Sequence, residues 1–211
     1  MIRLYCLLIG YAFGCFQTAY IVTKINTGKD IRDMGSGNAG TTNVTRSVGI
    51  KPALITFFAD LIKTILAALV CRFIFKDESM VLLGTYAGAG AVLGHNYPFW
   101  LKFKGGKGVA VTLAWTFMVD WRVGLLTVAL SLTVLFATGY LAFNAISLSV
   151  FFPLSLMIFG LVDGKVNYEC IAIIILFGVI MIVKHRKNFQ RLKNHEEKKI
   201  YQIISEKRKK E

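Results

Sequence analysis

Residues 52–75 read PALITFFADLIKTILAALVCRFIF, an apolar run interrupted only by Asp60, Lys63 and Arg72. The run is long enough to cross a hydrocarbon core as a helix, and Pro52 suits its first turn. Charges inside a membrane are costly and usually paired. Asp60 and Lys63 stand three apart on one helix face, so they are expected to pair and hold helices together. Comparable runs lie on either side. Residues 2–22 have the look of a signal-peptide core, but no small-residue cleavage site follows, so 3–23 reads as a retained first span. After a turn at 76–79, residues 80–93 (MVLLGTYAGAGAVL) are short and rich in small residues, which permits close packing. Further spans are expected within 106–119, at 123–140, at 146–161 after a break around Asn144, and at 168–183. The fold class is all-α: a polytopic integral membrane protein of about seven transmembrane helices, some short or tilted. A five-span version stays open because three of the runs are short. Residues 1–190 form the transmembrane domain and 191–211 a basic tail.

Composition agrees. The 211 residues are 55% hydrophobic with mean hydropathy +0.57, too apolar for an ordinary soluble domain. The net charge of +13 would suggest nucleic acid in a soluble protein, but here it lies between spans and reports topology. Lys24, Lys29, Arg32, Arg46, Lys51, Lys102, Lys104, Lys107 and the tail fall on one side. Arg3, Arg72, Lys76, Arg122 and Lys165 fall on the other. The rich side is expected to be cytoplasmic, with the N-terminus outside and no nucleic-acid partner. Cys6, Cys15, Cys71 and Cys170 all lie in apolar runs and match neither a metal site nor a disulfide framework.

Three polar segments gather on the rich side. In 24–51, GSGNAG at 35–40 formally matches a dinucleotide fingerprint, yet a membrane helix precedes it where a strand is required. The loop instead offers Ser36, Asn38, Thr41, Thr42 and Asn43 as hydrogen-bonding groups, with Arg46 able to grip phosphate oxygens. The competing reading is a solvated loop with Arg46 setting topology; the density of small polar groups favours function. In LGHNYPFWLKFKGGKGVA (93–110), GGKG is not an ATP-binding loop, because Leu101 and Gly108 occupy its required glycine and hydroxyl positions. An anion nest at a helix start remains, with Lys107 as the phosphate contact and Lys102 and Lys104 as topology charges. His95 lacks the acidic partner five residues on that a His-x4-Asp acyltransferase carries, since that residue is Trp100, so it reads as structural. After the last span, His185 and Asn188 share a helix face. A basic helix drawn to anionic lipid and an acyl-transfer or phosphate-contact pair fit them equally.

Together, DIRDMGSGNAGTTNVTR, LGHNYPFWLKFKGGKGVA and HRKNFQRLKNHEE resemble the acyl-phosphate:glycerol-3-phosphate acyltransferases of bacteria, the PlsY family, in order and spacing. The family's third segment usually has isoleucine at Phe189, glycine at His195 and glutamate at Glu197; the second usually has threonine at Val111. The glycine replaced by His195 would close a helix, so the geometry around Glu197 is open. The resemblance implies transfer of an acyl group from long-chain acyl phosphate to the C1 hydroxyl of glycerol 3-phosphate. The products would be 1-acylglycerol 3-phosphate and phosphate, with no cofactor, metal, coenzyme A or acyl carrier protein. It implies that Ser36, Arg46 and Lys107 hold glycerol phosphate, with Gly37, Asn38, Asn43, Gly105, Gly106 and Gly108 lining the site. His185 and Asn188 would orient phosphate and acyl carbonyl. Membrane lipid and the enzyme that forms acyl phosphate would be its partners. The rival is a transporter or channel for a phosphorylated metabolite, which would thread polar groups through the spans; spans four to seven are almost wholly apolar.

Overall fold

The computed structural model describes residues 1–208, and among these the regular structure is entirely helical. The helices are α1 (Ile2–Gly14), α2 (Thr18–Thr27), α3 (Thr41–Ser47), α4 (Ile50–Ile74), α5 (Met80–Asn96) and α6 (Val109–Val119), followed by α7 (Trp121–Thr138), α8 (Leu141–Val162), α9 (Tyr168–Lys184), α10 (Arg186–Lys193) and α11 (Ile200–Arg208). Side-chain caps mark several starts. Ser79 accepts from the amide of Leu82, Asp120 from Arg122 and Asn167 from Cys170, satisfying first-turn donors that the helix itself leaves free.

Among the described residues, four segments are long and apolar enough to span a bilayer: Ile2–Thr27 taken across its break, Ile50–Ile74, Trp121–Thr138 and Leu141–Val162. A fifth arises if Tyr168–Lys184 and Arg186–Lys193, bent by 49°, count as one. The expected seven is thus not reached by length and composition: Met80–Asn96 and Val109–Val119 are shorter helices. Two boundaries also move. The break expected at Asn144 lies at Gly139, which closes α7 in the left-handed region (φ 77°), and Asn144 sits buried early in α8. The first span is broken at 15–17, which its apolar sequence conceals.

The interior explains that break. Gly10 and Gly14 of α1 lie so close to Ala87 and Ala91 of α5 that a Cβ would collide with backbone, and Gly90 and Gly94 meet Leu7 and Tyr11 in the same way. Small residues on both sides let the two backbones touch. Carbonyls freed near the ends of α1 and α5 are then satisfied by side chains. Gln17 Nε2 donates to Gly14 (3.1 Å), Gly94 (3.2 Å) and His95 (3.2 Å), and Lys63 Nζ donates to Gly14 (3.3 Å) and Phe16 (2.8 Å). Across the molecule, Trp115 of α6 packs edge-on against Phe152 of α8 and Phe177 of α9, at 5.2 and 5.4 Å between centroids. On α4, Leu54, Phe58, Ile62, Leu66, Leu69 and Phe73 are exposed while Asp60 and Lys63 are buried. That inversion suits a helix whose outer face meets lipid. The four cysteines are buried and free.

Candidate active site

The connections after α2, α5, α7 and α9 meet at one end of the bundle around a cavity of about 260 Å³. Its lining includes polar groups from all of these segments: Ser36, Asn38, Thr41, Thr42, Arg46 and Lys107 together with His185, Asn188, Arg191, Glu197 and Lys198. It also includes the apolar side chains of Phe57, Val109, Leu135, Leu141, Ile200 and Ile203.

The loop 28–40 owes its shape to Asn43, which is 2% exposed. Its Oδ1 accepts from the Ser36 amide (2.9 Å), and its Nδ2 donates to the carbonyls of Ile31 (3.1 Å) and Met34 (2.9 Å). Asn43 therefore borders the cavity, but its amide is spent on the loop. Gly37, expected to contact substrate, instead turns the chain at φ 72°, gives its N–H to Met34 and lies outside the cavity lining. Arg32 closes the loop from outside, gripping Asp30 (2.6 Å) and donating to the Leu101 carbonyl (2.8 Å). Its hydrogen bonds hold the Asp30 carboxyl below the usual carboxylate range. Arg46 lines the cavity, and no carboxylate pairs with it among the described residues.

The GGKG loop corrects a second expectation. The amides of Gly105 and Gly106 donate to the carbonyls of Asn96 (3.2 Å) and His95 (3.0 Å), and neither residue lines the cavity. These glycines serve close approach instead: a Cβ on Gly106 would strike the His95 ring. Lys107 and Gly108 do line the cavity; Gly108 is left-handed at φ 86° and starts α6, whose first-turn amides are free of helical partners. Lys107 Nζ contacts Asn188 Oδ1. Burial, aided by the nearby Arg191, lowers the Lys107 ammonium pKa to about 8.

Beneath the loop lies a buried polar cluster. Lys63 Nζ is 2.7 Å from Asp60 Oδ1, as the spacing predicts, and 3.1 Å from His95 Nδ1. His95 is thus structural in a specific sense: it connects a charge pair in α4 to the back of Gly106. Removing one charge of a buried pair strands the other, at a cost of roughly 3–5 kcal/mol. Asp60 and His95 also reach the cavity floor, which their sequence positions did not reveal.

His185 (3% exposed) caps α9 at the 49° bend that starts α10. Its Nδ1 lies 2.9 Å from the Met181 carbonyl. A carbonyl only accepts, so Nδ1 carries hydrogen and the neutral ring keeps its lone pair on Nε2. Asn188 Nδ2 donates to Glu197 Oε1 (2.6 Å), and Arg191 Nε donates to Glu197 Oε2 (2.6 Å). Glu197 reaches both because His195 turns the chain at φ 59°, the conformation of a helix-closing glycine. The boundary placed at 190/191 therefore does not separate a tail: it falls inside α10, and Arg191, Glu197 and Ile203 are cavity wall.

A model of the family described as glycerol-3-phosphate acyltransferase matches residues 4–195. The chain belongs to the glycerol-3-phosphate acyltransferase family. A member from Alkaliphilus metalliredigens is 35% identical over 201 residues, covering 95% of this chain and 97% of its own. One from Prochlorococcus marinus is 37% identical over 92% of this chain and 95% of its own. The crystal structure of PlsY, an integral membrane glycerol 3-phosphate acyltransferase, in its glycerol 3-phosphate form aligns with a TM-score of 0.80 at 33% identity, covering 94% of this chain and 95% of that one. Its lysophosphatidic acid form aligns at 0.76 and 31%, covering 93% and 94%. That relative is an integral membrane protein, and this member of the family is a multi-pass membrane protein whose described residues form only helices as regular structure.

Proposed function

We propose that this cavity transfers an acyl group from a long-chain acyl phosphate to the C1 hydroxyl of glycerol 3-phosphate. The hydroxyl oxygen attacks the acyl carbon and the bond from that carbon to the phosphate oxygen breaks. The products are 1-acylglycerol 3-phosphate and inorganic phosphate, which overall carries off the hydroxyl proton. The observation that carries this reading is the mixed lining of one small cavity: Arg46, with no carboxylate partner among the described residues, and Lys107, in contact with the neutral Asn188 amide, share it with Phe57, Val109, Leu135, Leu141, Ile200 and Ile203. Phosphate needs the cations and the start of an acyl chain the apolar groups.

Arg46, Lys107 and Ser36 hold glycerol phosphate, with the first-turn amides of α6 contributing at Val109 and Ala110. His185 presents Nε2 to the reacting groups, and Asn188 fixes Lys107 from the side. Acyl phosphate is already an activated mixed anhydride, so no covalent serine intermediate is required. The acyl chain stays in the bilayer, where each buried methylene contributes about 0.8 kcal/mol.

Seven crossings, counting the shorter α5 and α6 as spans, would place all four cavity-forming connections on one side. The lysine and arginine count makes that side cytoplasmic and the N-terminus external. Purified protein in detergent, given palmitoyl phosphate and glycerol 3-phosphate, should form lysophosphatidate, and palmitoyl-coenzyme A should not substitute. No product, together with uptake of glycerol 3-phosphate by reconstituted liposomes, would establish the transporter instead.

A further inference from the structure

The match to the family model ends at residue 195, yet the cavity wall continues into α11. Helix α11 is tied down at its start. The Ile200 amide donates to the Gly139 carbonyl (2.9 Å), and the Lys199 ammonium lies over the rings of Tyr140 (5.5 Å) and Tyr201 (5.6 Å). From there the helix runs back over α3, the helix that carries Arg46, and over α4. Its sequence IYQIISEK has apolar residues at helical spacing, so Ile200 and Ile203 share one face. Both line the cavity; Ile203 is 5% exposed, whereas Tyr201 on the outer side is 56% exposed. Its other polar ties are at the surface, including the exposed Lys198–Glu206 ion pair (2.7 Å).

We propose that α11 is a roof over the acyl-transfer cavity, and that Ile203 is the side chain that keeps water from the bound acyl phosphate. The inference rests on the activity proposed above. An acyl phosphate is open to any oxygen nucleophile. If water replaces the glycerol hydroxyl, its oxygen bonds to the acyl carbon, the bond to the phosphate oxygen breaks, and free fatty acid and inorganic phosphate leave. The polar part of the lining must stay open to a hydrophilic acceptor, so chemistry there does not separate glycerol phosphate from water. An apolar roof does so by leaving no room for stray solvent once both substrates are seated. Ile203 is thus a determinant of acceptor specificity.

The test measures two products at once. Full-length protein, a truncation ending at Lys199 and the Ile203→Ser variant are each given palmitoyl phosphate with glycerol 3-phosphate. Lysophosphatidate and free palmitate are quantified. The truncation retains Glu197 and its bonds to Asn188 and Arg191. The ratio of palmitate to lysophosphatidate should rise about tenfold in the truncation and severalfold in Ile203→Ser, read as a shift in competing transition states. Ser205→Ala, on the exposed side of the same helix, should keep the full-length ratio. Unchanged ratios in both altered proteins overturn the proposal. So does a truncation that loses transfer without gaining hydrolysis while Ile203→Ser keeps the full-length ratio. Absence of lysophosphatidate from the full-length protein is a different result, and it strikes the proposed activity itself.

Discussion

Arg46 and Lys107 differ from the cations that fasten the two ends of the bundle. At the end away from the cavity, Arg3 binds Glu169 (2.6 Å), and Arg122 binds both Asp120 (2.8 Å) and Asp163 (2.6 Å). At the cavity end Arg32 binds Asp30 and Arg191 binds Glu197 (2.6 Å each), whereas Arg46 has no carboxylate partner among the described residues and Lys107 contacts a neutral amide. An arginine already paired with acid is a fastener between segments. A cation that lines a cavity without being bonded to a carboxylate retains its field for a ligand. The same residue types therefore do different work according to their partners.

The largest expected effect is on the unpaired cations. Arg46→Ala and Lys107→Ala should each lower kcat/KM for glycerol 3-phosphate by about 10²–10³-fold, the range for removing one preorganised charge contact. Steady-state kinetics on protein of unchanged thermal midpoint checks this. The pH profile comes next. With its pKa near 8, Lys107 is cationic below that value and loses its charge as pH rises through it. Phosphate monoesters gain their second charge near pH ~6. The kcat/KM should therefore plateau between the two and fall about tenfold per pH unit above ~8. Lys107→Arg should remove the alkaline limb, and a limb that persists assigns it to another group.

Glu197→Ala should lower kcat roughly tenfold, because Asn188 and Arg191 lose their shared anchor. Smaller still is His195→Gly. A non-glycine residue in the left-handed region costs about 1–2 kcal/mol, so glycine should raise the unfolding midpoint without changing turnover. At the opposite end, Arg122→Ala should change kcat/KM by less than about twofold, since exposed ion pairs contribute little. An Arg122 variant as impaired as Arg46→Ala would erase the contrast between the fastening cations and those of the cavity.

Much of this was legible in the sequence because the informative residues are conspicuous against an apolar background. Ser36, Arg46, Lys107, His185 and Asn188 lie on three separate segments, and the structure brings all five to one cavity. What escaped depends on contacts between distant segments. Gly105 and Gly106 suggested free amides, but which carbonyl lies opposite an amide is decided by how α5 ends, and those carbonyls belong to His95 and Asn96. The break at 15–17 is silent because Lys63 and Gln17, not a proline, stabilise it. The role of α11 had a signal in the spacing of Ile200, Ile203 and Ile204, overshadowed by the lysines around it.

The cluster around Lys63 bears on how the chain is made. Asp60 and Lys63 pair within one helix at 2.7 Å, so their charges cancel locally inside α4. The other carbonyl acceptors of Lys63, those of Gly14 and Phe16, stand earlier in the chain. His95 follows on α5, and Gly106, packed against its ring, comes after it. Every group of this foundation lies within the first hundred residues, ahead of the loop that rests on it.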